Sequence, residues 1–215
     1  MNTTGQGILA TMPIDLRPYL EPAHCAILVF EMQENVIGAA SRIPGLVAAV
    51  REGHVLANIA RLLASARSAR ARVVYCTAQS RPSGLGRAKT PMLDRMSRVE
   101  ISSDFIDTSV VKELAPEPGD VAMPRDHGMS AFCDSGLDSC LRDLGTETVI
   151  VVGVSLNIGL IGTTIEAVNR GYRVIVPVDC VAADPPEYGE QMLRYSIRNL
   201  AYTSTSGEIV KIWCV

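Results

Sequence analysis

Four short stretches of the chain carry side chains that could do chemistry. They are Glu31-Met32-Gln33, Thr77-Ala78-Gln79, Arg125-Asp126-His127 and Ser155-Leu156-Asn157, and each follows an aliphatic or β-branched run. Together they supply a carboxylate, amides, a guanidinium and an imidazole, the groups from which proton transfer and small-ligand binding are assembled. Each also has a plainer reading. Glu31 can cap a helix or pair with Arg125, and His127 can be an ordinary loop histidine. Arg81 and Arg87, in and beside the Gly/Pro-rich loop 82–87, can be solvated. The stronger reading rests on a shared edge: in open parallel sheets, ligands bind beyond the carboxyl ends of the strands.

The elements that must position these groups alternate between short apolar runs and helical patterns. Strands are predicted at 26–30, 72–76, 121–123, 148–152 and 173–178. Their uniformly apolar character suits strands buried on both faces of a parallel sheet. Helices are predicted over 46–69, 137–144 (capped by Asp134 or Ser135 and stopped by Gly145), 158–169 and 186–200. In the last of these, Tyr188, Met192, Tyr195 and Leu200 form the expected inner face. The fold class is α/β, a three-layer α/β/α arrangement around a mainly parallel sheet. One domain spanning 1–215 is expected, with residues 1–22 as an N-terminal extension.

A net charge of −3 and scattered Lys and Arg exclude a general nucleic-acid binder. No apolar stretch reaches membrane-spanning length, and 1–16 lacks the basic start and greasy middle of a signal peptide, so a cytoplasmic protein is expected. The six cysteines form no CxxC and no zinc spacing with histidine. They read as small buried hydrophobes rather than disulfide partners or metal ligands.

Four pieces of the chain resemble the isochorismatase-like hydrolase superfamily: AILVFEMQ (26–33), VVYCTAQ (73–79), SAF (130–132) followed by GLDSCLRDLG (136–145), and VIVVGVSLNIGLIGTTIEAVNRGYRVIVPVDC (149–180). Most members of that superfamily are amidases with an aspartate, lysine and cysteine triad. The resemblance places the aspartate position at Glu31, the lysine position at or next to Asp126, and the cysteine position at Gly159. All three differ, so amide hydrolysis through a thioester is not expected. The true isochorismatases of the superfamily also carry glycine there and a TAQ after the second strand, and use their aspartate as a general acid.

The resemblance therefore implies a hydrolase without a cysteine nucleophile, acting on a small polar or carboxylated substrate. Glu31 would be general acid or base, with Arg125 or His127 replacing the missing cation. Gln79 would orient the substrate, and the N–H groups of Gly159 and Leu160 would bind an oxyanion or carboxylate. Arg87 or Arg81 would clamp a carboxylate, and Phe132 and Asn157 complete the expected substrate contacts. No cofactor, metal, nucleic-acid or membrane partner is implied; a homodimer or homotetramer is. The alternative is a non-catalytic member that binds a small molecule or serves as a scaffold subunit.

Overall fold

The computed structural model describes residues 14–79, 88–97 and 106–214. Within them six parallel strands form one sheet in the order β3-β2-β1-β4-β5-β6. The strands are β1 Cys25–Phe30, β2 Arg72–Cys76, β3 Val121–Ala122, β4 Thr148–Gly153, β5 Arg173–Pro177 and β6 Tyr202–Ser204. The chain builds outward from β1 through β2 to β3, then returns to place β4 on the other side of β1. That reversal puts the switch point, where a crevice opens, at the carboxyl ends of β1 and β4.

The helices are α1 Glu34–Ile37, α2 Pro44–Glu52, α3 Val55–Ala69, α4 Pro91–Ser97, α5 Leu137–Asp143, α6 Ile161–Asn169, α7 Pro186–Tyr195 and α8 Ser206–Trp213. Side chains alternate across β1, as the pleat requires. Cys25, Ile27 and Val29 join one apolar layer with Leu46 of α2, Ile59 and Leu62 of α3, and Trp213 of α8. Ala26, Leu28 and Phe30 join the other, with Leu137 and Leu141 of α5, Ala167 of α6 and Met192 of α7. The two layers lie on opposite faces of the sheet, giving the expected three-layer α/β/α arrangement.

Several expected boundaries are corrected. The single helix over 46–69 is two, because Gly53 ends α2 and His54 adopts a left-handed conformation (φ 52°) that turns the chain before α3. The helix expected from Ile158 begins with a π-helical turn, Leu156–Leu160, and becomes regular only at Ile161. The N-cap of α5 is Gly136, in a left-handed conformation (φ 72°), rather than Asp134 or Ser135, although the Ser135 hydroxyl accepts from the Leu137 N–H. On α7 only Met192 of the four expected inner residues is buried; Tyr188 and Tyr195 are exposed, and the helix stops at Tyr195. The loop 82–87 lies outside the described residues.

Residues 14–22 of the N-terminal stretch lie along the body, where Leu20 is buried and its carbonyl accepts from the Trp213 indole at 2.8 Å. The cysteines are unpaired; Cys25, Cys76 and Cys180 are buried, whereas Cys214 is exposed, against the expectation for it. Among the described residues no helix is long and apolar enough to cross a membrane, and no cluster of His, Cys, Asp and Glu could hold a metal ion.

Candidate functional site

The crevice at the switch point is a cavity of about 200 Å³. Its position follows from how the strands end. Beyond β1 the Glu31 N–H still reaches the Cys76 carbonyl (3.1 Å), so the ladder continues one residue further. Glu31 then takes a left-handed conformation (φ 49°), and the Gln33 N–H closes back on its carbonyl at 2.9 Å. This turn carries the Glu31 side chain out of the strand and into the cavity. Beyond β2 and β3 the Arg125 N–H donates to the Thr77 carbonyl and the Gln79 N–H to the Arg125 carbonyl, both at 2.9 Å.

Gln33 locks these ends together. Its side chain is fully buried, accepts from the Ala78 N–H (2.8 Å), and donates to the carbonyls of Ala78 (2.9 Å) and Thr108 (2.7 Å). A buried amide satisfied on both ends fixes backbone more firmly than apolar contact could.

Glu31 and Arg125 form the polar heart of the cavity. One guanidinium nitrogen of Arg125, Nη2, donates to a carboxylate oxygen of Glu31. The Arg125 side chain is 3% exposed and that of Glu31 19%, so the carboxyl is the partner that reaches open space. The Arg125 guanidinium also lies 4.9 Å from the centre of the Phe30 ring. Its Nε and Nη1 are buried without a hydrogen-bond partner among the described residues. Burial pushes the Glu31 carboxyl above its ordinary pKa, and the charge and hydrogen bond of Arg125 pull the other way.

Gly159, in the π-helical turn after β4, lines the same cavity. No side chain fits on it: a Cβ would lie 2.6 Å from both Cε1 and Cζ of Phe30 and 2.7 Å from the Met129 carbonyl oxygen. The glycine is thus required by the packing of Phe30. The remainder of the cavity is mostly apolar, lined by Val36, Ile43, Met92, Leu93 and Met96 among others.

The structure brings Glu31, Arg125, His127, Gly159 and Gln79 to this one cavity. His127 is exposed at the rim, and the hydrogen-bonded partner of Glu31 is Arg125 rather than His127. Three expected contacts lie elsewhere. Phe132 is buried in the layer beneath α5 and α6, with its ring 6.2 Å from that of Tyr172. Asn157 donates to the Asp184 carbonyl (3.2 Å), away from the cavity walls. Leu160 is core, and its N–H is spent on the Ser155 carbonyl (3.1 Å), so it cannot serve as an oxyanion donor. Arg81 and Arg87 lie outside the described residues.

Sequence reasoning missed Asn35 and the α4 side chains as cavity walls. The α4 signal was readable: Thr90 before Pro91 is a helix start, and its hydroxyl accepts from the Leu93 N–H.

Comparison with known proteins agrees with this architecture. The isochorismatase domain pattern matches residues 25–208. The chain is similar to the ureidoacrylate amidohydrolase RutB of Rhizobium rhizogenes, 26% identical over 204 residues, covering 87% of this chain and 82% of that protein. Its counterpart in Methylorubrum extorquens is 28% identical over 208 residues, covering 89% and 84%. Among solved structures, a cysteine hydrolase from Pseudomonas syringae pv. phaseolicola superposes with a TM-score of 0.73 at 24% identity, over 94% of this chain and 95% of that one. N-carbamoylsarcosine amidase from Thermoplasma acidophilum shares the fold with a TM-score of 0.65 at 24% identity, over 85% and 96%. With the family pattern running from β1 into α8, the chain belongs to the isochorismatase family.

Proposed function

We propose that the protein hydrolyses a small molecule by general acid/base chemistry through Glu31, without a covalent enzyme intermediate. One observation carries this reading. The group of the cavity best placed to move a proton is a carboxyl held by a buried guanidinium, while Gly159, which lines the same cavity, has no room for a nucleophile. A carboxyl lifted above its ordinary pKa by burial can give a proton to a leaving atom or take one from water nearer neutral pH. Arg125 is the positioning residue: it fixes the carboxyl and steadies its charged form. The substrate is small enough for about 200 Å³ and has an apolar body to lie along Val36, Ile43, Met92, Leu93 and Met96. The relatives named as ureidoacrylate amidohydrolases support hydrolysis of a small molecule as the shared activity.

A second reading, ligand binding without turnover, is favoured by the engagement of Glu31 with Arg125. One experiment separates the two. A panel of small amides, esters and enol ethers is assayed for hydrolysis, and any substrate found is tested on Glu31→Gln. Loss of turnover with retained binding supports the catalytic carboxyl. Turnover that survives in Glu31→Gln refutes it, and binding without turnover across the panel favours the second reading.

A further inference from the structure

Asn35 lies in the first turn of α1 and forms part of the cavity wall. Its backbone is fixed by the N–H bond to the Asp107 carbonyl at 3.0 Å. Its side-chain Oδ1 is buried and has no hydrogen-bond partner among the described residues. Val36 and Ile43, which line the same cavity, are apolar. A buried acceptor left unpaired is costly, and native proteins keep few of them. We infer that Asn35 is a specificity-determining residue whose Oδ1 accepts a hydrogen bond from an N–H or O–H of the bound substrate. The Cβ–Cγ torsion of asparagine is broad, so the oxygen can turn to the ligand without moving the helix.

The inference deepens the hydrolase reading by naming a feature of its substrate, and rests on the same cavity. It makes a carbonyl compound with a donor a better ligand than its methyl isostere, because the isostere leaves Oδ1 unpaired. Benzamide and acetophenone are such a pair, each with an apolar ring for the aliphatic wall.

Their affinities are measured by calorimetry on the full chain, as wild type, Asn35→Leu and Glu31→Gln. Benzamide should bind the wild type roughly tenfold tighter than acetophenone. Asn35→Leu should abolish that preference without weakening acetophenone, and Glu31→Gln should keep it. Ligand-free Asn35→Leu should also melt at least roughly 2 °C higher, since it removes the unpaired acceptor. Equal affinities in the wild type, a preference surviving in Asn35→Leu, or no binding of either probe would overturn the inference. So would a lower melting temperature for Asn35→Leu, which would mark Asn35 as structural. A preference lost in Glu31→Gln would assign the donor to the carboxylate instead. These readouts concern binding and stability, so they stand apart from the turnover test of Glu31.

Discussion

The Phe30 ring occupies the space that any side chain on residue 159 would need. A Cβ there would come within 2.6 Å of two ring carbons, and the ring is itself fully buried beside the Arg125 guanidinium. Phe30 ends β1 one residue before Glu31, so the carboxyl and the obstruction are neighbours in sequence. The lack of room for a side chain at residue 159 is therefore built into the packing of the site.

Gly159→Cys should for this reason be both less stable and inactive toward amides. Overpacking costs about 1–3 kcal/mol, or about 2–4 °C of melting temperature for each kcal/mol in a chain of this size. The thiol would also stand beside Glu31 without a lysine to favour the thiolate. Combining it with Phe30→Leu, which removes the two obstructing ring carbons, should recover part of the loss. The Met129 carbonyl at 2.7 Å keeps the recovery partial. Melting curves of the four proteins and an amidase assay check this; brisk amide hydrolysis by the single variant would sink it.

The ionisation of Glu31 should leave a signature in stability. Burial raises its pKa in the folded state, so the folded protein holds this proton more tightly than the unfolded chain does. The resulting stability is complete below the unfolded pKa, about 4.3, and is lost as pH rises through the folded value. Glu31→Gln lacks this ionisation. Relative to the wild type it should gain stability as pH rises from the unfolded pKa through the higher folded one. Denaturation at several pH values measures the difference; the opposite slope would mean that the attraction of Arg125 outweighs burial.

Arg125→Met tests the pair from the other side. Removing one member of a buried ion pair costs up to about 3–5 kcal/mol, and less here because the Glu31 side chain is 19% exposed. The loss should be largest at neutral pH and shrink in acid, where Glu31 is protonated. Arg125→Met/Glu31→Gln should be more stable than the two separate losses predict, a coupling readable from a double-mutant cycle. Additive losses would show that the pair contributes nothing.

The sheet was legible because parallel strands are buried on both faces and so read as short apolar runs. The rim was legible from the polar residues that end them, Glu31, Gln79, Arg125 and His127. Strand β6 was not, because Tyr202–Ser204 is three residues long and carries no apolar run. Helix α8 was overlooked although Thr205 and Glu208 form a capping box visible in the sequence. Side-chain direction was the larger gap. Spacing could not show that Asn157 turns to Asp184, that Phe132 enters the core, or that Arg125 rather than His127 meets Glu31. Nor could it show that Phe30, an ordinary strand residue, closes off position 159.

The clamp made by Gln33 yields the last prediction. Its amide makes three hydrogen bonds, two to Ala78 and one to Thr108, from a fully buried position. Gln33→Leu keeps the volume but leaves one backbone N–H and two carbonyls without these partners. Each unpaired buried group costs about 1–3 kcal/mol, partly relieved if water enters, so a total of several kcal/mol is expected. Ala78 and Gln79 form a cavity wall, so the damage should reach the site as well. Gln33→Leu should weaken binding of a cavity ligand such as benzamide even where the variant is still folded. Gln33→Glu keeps the acceptor for the Ala78 N–H but sets a carboxylate against two carbonyls, and should be as poor. Denaturant melts and calorimetry together decide it: a variant that stays fully stable, or one that is destabilised yet binds unchanged, would show that Gln33 does not hold the site together.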